Sequence, residues 1–163
     1  MDEYPILEIK FTIPEIVKLI SCCNQAIVNS EETLREYGNI RMTAHSFTLQ
    51  DSIDKIWSIK TKIQKSIFDQ FGKLQGENIP VSLSILEFIK LNACCNSAIE
   101  FQEKTLRYIT TDSIVKSTNE SICQIRDIKY KIKQELNSLY GRLCVENSKM
   151  IIIDTIPEEI RED

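Results

Sequence analysis

The hexapeptide Cys22-Cys23-Asn24-Gln25-Ala26-Ile27 returns 72 residues later as Cys94-Cys95-Asn96-Ser97-Ala98-Ile99. The likeness spreads outward: from Thr12 to Arg35, 13 of 24 positions are identical at that offset. Self-similarity at a fixed spacing marks one supersecondary unit used twice. Later in each unit the offset becomes 69. Asp51-Ser52-Ile53 corresponds to Glu120-Ser121-Ile122, and Ile56, Ile59, Lys60, Lys62 and Ile63 correspond to Ile125, Ile128, Lys129, Lys131 and Ile132. Phe71-Gly72-Lys73-Leu74 corresponds to Tyr140-Gly141-Arg142-Leu143. The connection inside the first unit is therefore longer than that inside the second.

Each unit opens with a period-two run: Leu7, Ile9 and Phe11 in the first, Ile79, Val81 and Leu83 in the second. Alternation of this kind predicts a short strand. A helix start follows in both. Thr12 with Glu15, and Ser84 with Glu87, have the spacing of a capping box, in which hydroxyl and carboxylate each take a free backbone amide. Phe11 with Ile16, and Leu83 with Phe88, stand in the positions of a hydrophobic staple. The first helix is predicted over 13–37. Its seam is Ile13, Ile16, Ile20, Cys23, Ile27, Leu34 and Tyr37, widened by Val17, Leu19, Cys22 and Ala26 into a face broad enough for two neighbours. Gly38 and Gly72 are placed to end helices in a left-handed conformation. A connection over 38–47 precedes the second helix, predicted from near Thr48, with Leu49, Ile53, Ile56, Ile63 and Ile67 as its stripe and Trp57 and Ile59 beside it.

The expected fold is mainly α: an up-down-up-down four-helix bundle made from two tandem αα-hairpins. The helices are expected to run about 23–26 residues. In that topology the first and third helices start at one pole, where segments 6–11, 79–83 and 150–154 would form a small β cap. The far pole would carry the connections 38–47 and about 110–117. One domain, 1–163, is expected, with repeat 1 at about 4–78, repeat 2 at about 79–149 and an extension over 150–163. A length of 163 residues suits one buried core. In the extension Thr155-Ile156-Pro157-Glu158 echoes Thr12-Ile13-Pro14-Glu15.

Charge and residue usage narrow the function classes. The net charge of −4 argues against nucleic acid as a main partner, because phosphate binding needs a positive field. The sequence lacks an apolar run of membrane-spanning length, about 20 residues. Met1-Asp2-Glu3-Tyr4-Pro5 lacks the basic and apolar regions of a signal peptide. A cytoplasmic location away from membranes is expected, with reduced cysteines. Abundant isoleucine, lysine, asparagine and glutamate point to an AT-rich genome, such as a low-GC bacterium or phage.

No motif commits the chain to a chemistry. Adjacent helical cysteines point about 100° apart, so neither pair offers both thiols to one ion, and structural zinc sites space cysteines two to four residues apart. Cys22 with Ala26, and Cys94 with Ala98, read as small residues at a close helix contact, with Cys23 and Cys95 in the core. His45 is the only histidine, which excludes the paired Glu-x-x-His motifs of di-iron bundles. Phosphate loops and nucleophile elbows are absent from the sequence. No cofactor, no metal and no catalysis are expected.

Six polar residues stand out because the repeat keeps them. Asn24, Glu31 and Arg35 lie within about 20° of one helical line, and Asn96, Glu103 and Arg107 repeat them. They are candidates for a polar network between helices or for the lining of a ligand groove. Lys55, Lys60, Lys62 and Lys65, with Arg126, Lys129, Lys131 and Lys133, read as solvated faces. Ile40, Met42, Phe47 and Trp57 are the candidate apolar contacts for a partner. The expectation is a non-catalytic binding protein, of the inhibitor, adaptor or immunity type, acting on a protein partner. The alternatives are a small-molecule or nucleotide-type binder with a pseudo-twofold cleft, and a nucleic-acid-binding or -cleaving bundle using the lysine helices and His45. A homo-oligomer is compatible with all three.

Overall fold

A computed structural model of the chain describes residues 4–38, 44–69 and 78–146. The order of elements is β1 (Ile6–Thr12), α1 (Ile13–Gly38), α2 (Ala44–Asp69), β2 (Asn78–Ser84), α3 (Ile85–Leu106) and α4 (Asp112–Glu146). The expected class holds: four helices with a small antiparallel sheet. The expected strand over 150–154 and the echo at Thr155 lie outside the described residues, as do Ile40, Met42 and Gly72.

The sheet reveals the symmetry. β1 and β2 pair antiparallel with Ile9 opposite Val81, and those two residues are 72 apart, hence equivalent in the repeat. The outer pairs are related in the same way: Ile6 faces Ser84, and Thr12 faces Asn78. A pseudo-twofold axis therefore runs through the Ile9–Val81 pair. Alternation puts Leu7, Ile9, Phe11, Ile79, Val81 and Leu83 on one face, and all six are buried.

Each strand runs straight into a helix through the predicted capping box. The Thr12 N–H donates to Glu15 Oε1 at 2.9 Å, and the Glu15 N–H returns to Thr12 Oγ1 at 3.3 Å. Ser84 and Glu87 repeat this at 3.0 and 3.2 Å. Both glutamates then receive a lysine from the other repeat. Lys131 of α4 donates to Glu15 at 2.7 Å, and Lys62 of α2 donates to Glu87 at 2.6 Å. A second pair of crossings obeys the same symmetry: Lys18 donates to Ser121, and Lys90 donates to Ser52.

These contacts set helix directions. Along α1, residues 15 and 18 meet α4 at 131 and 121, so the two run antiparallel. α2 and α3 are antiparallel by the equivalent contacts. α1 and α3 run parallel. Cys22 and Cys23 meet Cys95 and Cys94, and further along both helices Asn29 meets Ser97. The alternation of directions is that of an up-down-up-down bundle, with the parallel pair α1 and α3 packed directly on the axis. α2 and α4 lie outside, each against its own hairpin partner.

One core fills the space between sheet and helices, including Ile16, Leu19, Ile59, Ile63, Leu91, Ile125, Ile128 and Ile132. Ile59, expected beside the α2 stripe, is a central member of it. Two residues expected on the buried face of α1 are exposed: Ile13 at 43% and Val17 at 58%. With Asn24 and Val28 they fall within an arc about 60° wide. That arc backs away from the helices packed on the opposite side. α4 is longer than expected, at 35 residues. It starts at Asp112, where residues up to 117 were expected to be loop, and it passes through Gly141. Glycine disfavours a helix by about 1 kcal/mol relative to alanine, less than a packed helix gains from burying its stripe.

Candidate functional site

Two regions concentrate chemistry: the axial layer between α1 and α3, and the outer face of α2. In the axial layer Cys22, Cys23, Cys94 and Cys95 are all buried and free. Ala26 and Ala98, one turn on, are also buried. Small side chains at these positions let two parallel helices approach closely. The thiols are neighbours across the axis, Cys23 with Cys94 and Cys95 with Cys22. Cys23 is pushed up by holding the shared proton for Cys94 and then by burial. Cys95 is pushed up in the same way by Cys22 and by burial. Cys94 is held low because it accepts the Cys23 proton, which outweighs its burial, and the Lys90 ammonium adds to this. Among the described residues no cluster of three or more His, Cys, Asp or Glu side chains is arranged to hold a metal ion.

Beyond the cysteines α1 and α3 part to leave a groove of about 300 Å³. Asn29, Glu32, Thr33 and Glu36 line one wall, and Ser97, Glu100, Phe101 and Lys104 the other. The Asn29 side-chain amide donates to Ser97 at 3.1 Å across its floor. Sequence reasoning missed this groove, because residues 29 and 97 are not equivalent and the repeat pattern gives no sign of them.

The six repeated polar residues are not gathered there. Asn24, Glu31, Arg35, Glu103 and Arg107 are exposed, and Asn96 is half-buried. Among the described residues only Glu103 of the set is paired, with Arg126 of α4 at 2.6 Å. Its equivalent, Glu31, has no such arginine, because α2 carries Trp57 where α4 carries Arg126. Arg107 caps α3 through its backbone. Among the described residues no contact accounts for the recurrence of the whole set.

The lysine-rich helices resolve into specific contacts. Lys62 and Lys131 hold the capping-box glutamates, and Lys55 pairs with Asp51 at 2.8 Å. The Lys60 ammonium sits 4.4 Å from the centre of the Trp57 ring. Burial would raise Glu15 and Glu87, but the hydrogen bonds from Lys131 and Lys62 and from the capping backbone amides outweigh it, and both carboxyls end below their ordinary value.

The outer face of α2 is polar but carries three exposed aromatic side chains, each about 15 Å from the next along the helix. Phe47, Trp57 and Phe68 are 63%, 47% and 74% exposed. By helical geometry they share an arc of about 80°. At offset 69 their counterparts on α4 are Lys116, Arg126 and Asn137. α4 does expose Ile114 and Tyr130, but these lie about 160° apart around the helix and make no common face. The described fold and site thus define a duplicated four-helix protein with a sheet at one pole and one aromatic flank. No family model, no curated protein and no solved structure matches the chain. Among the described residues no helix is long and apolar enough to cross a membrane.

Proposed function

We propose that the protein is a non-catalytic binding module that engages a protein partner through the outer face of α2. The observation that carries this reading is the broken symmetry of the flanks. Two pairs of crossing contacts agree residue for residue between the halves, yet α2 exposes Phe47, Trp57 and Phe68 where α4 has two cations and an amide. Exposed aromatic side chains spaced along one helix can act as separate anchors, each burying a large, rigid apolar area at little entropic cost. Lys60 over Trp57 adds a cation at the rim, a common feature of protein interfaces. The partner would present an apolar groove or helix face with acidic margins.

The reading is tested with the tagged full chain, its Trp57→Glu, Phe68→Glu variant and an Arg126→Glu variant on the opposite flank. Proteins captured from the native host should be lost with the α2 variant and kept with the α4 variant, both variants retaining parental helical circular dichroism. Capture that is indifferent to the α2 substitutions refutes the assignment. The small-molecule alternative has its own support in the groove between Asn29 and Ser97, whose walls carry three glutamates and one lysine. Such a wall favours a cationic ligand over a nucleotide. The nucleic-acid reading has the least support, since several of the lysines invoked for it are engaged within the fold.

A further inference from the structure

The two strands of the sheet are equivalent in the repeat, yet their outer edges are not alike. We propose that the free edge of β1 pairs with β1 of a second copy of this chain, antiparallel about a twofold axis at Ile9, to make a four-stranded sheet across a homodimer.

The contacts at the strand ends fix which backbone groups lie on that edge. Successive residues of an antiparallel strand turn their N–H and C=O groups alternately toward the partner strand and away from it. The Ile85 N–H donates to the Pro5 carbonyl at 3.2 Å, which sets the odd-numbered residues of β1 in bonded pairs with the odd-numbered residues of β2. The even-numbered residues turn outward. The Thr12 and Ser84 N–H groups accordingly reach Glu15 and Glu87 instead of the opposite strand, and the Lys10 carbonyl faces Lys131. The outer edge of β1 therefore offers the N–H and C=O groups of Glu8 and Lys10. Among the described residues only Lys131 reaches them, at 3.3 Å from the Lys10 carbonyl, which keeps a second lone pair.

The edge of β2 is closed in two ways. At the position equivalent to Glu8 it has Pro80, which has no N–H to give. α2 also packs against β2, and among the described residues α4 has no comparable packing on β1. Proteins blunt exposed edges with such devices. β1 carries neither, only Glu8 and Lys10, whose charges discourage any strand that does not complement them.

Those charges select the occupant. Both side chains are exposed on the outward face of the sheet, opposite Ser82 and Pro80, and among the described residues neither is ion-paired. Only even-numbered residues can exchange bonds across the edge, so few registers are open. Setting Glu8 opposite Glu8, or Lys10 opposite Lys10, places like charges together, which is destabilising. Setting Glu8 of one copy opposite Lys10 of the other makes an opposite-charge pair on each side of the axis. That register is centred on Ile9, the midpoint of Ile6–Thr12, so it also overlaps the whole strand. It continues the buried face, with Leu7 opposite Phe11 and Ile9 opposite its own copy. A twofold contact of this kind is self-complementary and closes at the dimer.

The test measures the mass of the full chain by sedimentation equilibrium over a concentration series, with amide hydrogen exchange at both ends of the series. The parent should dimerise with a dissociation constant below about 0.1 mM, and dilution to the monomer should deprotect the Glu8 and Lys10 amides. Glu8→Pro gives β1 the residue that β2 carries at the equivalent position. It removes an outward N–H and leaves the β1–β2 ladder intact, so it should yield a monomer of unchanged helical circular dichroism. Glu8→Lys and Lys10→Glu should each weaken the dimer roughly ten-fold, since each makes both charge pairs like-signed. Mixed in equal amounts, these two variants should form a heterodimer as tight as the parent dimer, because both opposite-charge pairs return. A parent chain that stays monomeric overturns the proposal, as does protection of the Glu8 and Lys10 amides in the monomer, which would show the edge covered by the chain itself. So does a dimer that Glu8→Pro leaves intact, or one that only the Trp57→Glu, Phe68→Glu variant dissolves. Mixed variants that fail to recover affinity overturn it too. The mixing experiment decides the matter even if the Glu8→Pro chain fails to fold.

Discussion

The paired nodes at the helix starts offer a sharp test of the symmetric architecture. Glu15 Oε1 accepts from the Thr12 N–H at 2.9 Å and from Lys131 at 2.7 Å. Glu15→Ala removes half of a capping box, about 1 kcal/mol, and a partly exposed ion pair, about 0.5–1 kcal/mol. The expected loss is about 1.5–2 kcal/mol, seen as a fall of about 1 M in the urea midpoint. Lys131→Met keeps the stem and removes the charge, so a Glu15/Lys131 double-mutant cycle isolates about 0.5–1 kcal/mol of coupling. The Glu87/Lys62 cycle should give a smaller coupling, because the Lys62 side chain is 51% exposed against 35% for Lys131. Lys131 also donates to the Lys10 carbonyl at 3.3 Å. The pH dependence follows. Both carboxyls sit below their ordinary value when folded, so the unfolded chain takes up their protons first. Their stabilisation is full above about pH 4.5 and is lost as pH falls through the lowered folded values. A Glu15→Gln, Glu87→Gln chain should therefore lose less stability than the parent between about pH 5 and pH 3. Equal acid sensitivity, or no coupling in either cycle, would refute the account of these nodes.

Asn92 is 2% exposed and neither polar atom of its side chain finds a partner. Its equivalent in the first repeat is Ile20, so Asn92→Leu should raise stability by about 1–3 kcal/mol in urea unfolding, and a loss of stability would contradict this. Ile63 and Ile132 are equivalent and wholly buried, so alanine at either should cost about 2–5 kcal/mol, with the two losses agreeing more closely than either agrees with Ile67→Ala.

Much of the fold could be read from the chain because the duplication repeats its signals. The capping boxes, strand alternation and hairpin order each appear twice, and all stand in the structure. The ends of α4 could not be read. Ser113-Ile114-Val115-Lys116-Ser117-Thr118 is poor in strong helix formers, and Gly141 is the counterpart of Gly72, which was expected to end a helix, yet the buried stripe of Ile122, Ile125, Ile128, Ile132 and Leu136 carries one helix past both. The polar residues were legible only as a pattern. Lys62, Lys131, Ser52 and Ser121 recur because each is bound to the other repeat, a reason visible only once α2 is set beside α3 and α4 beside α1. Glu31 and Glu103 have equal sequence claims, yet only Glu103 meets an arginine.

The crossing contacts bear on why two units are held in one chain. Every one of the four equivalent polar crossings joins one repeat to the other, and so does every rung of the sheet. Neither hairpin supplies its own capping lysine or its own strand partner. The interface is self-complementary in the manner of a twofold dimer, in which a residue meets the equivalent of its own partner. Two identical chains joined this way would carry the same face on both flanks. Joined in one chain, the flanks are free to differ while the axis stays fixed. Glu15, Lys18, Cys22 and Cys23 match Glu87, Lys90, Cys94 and Cys95, while Phe47, Trp57 and Phe68 of α2 correspond to Lys116, Arg126 and Asn137 of α4.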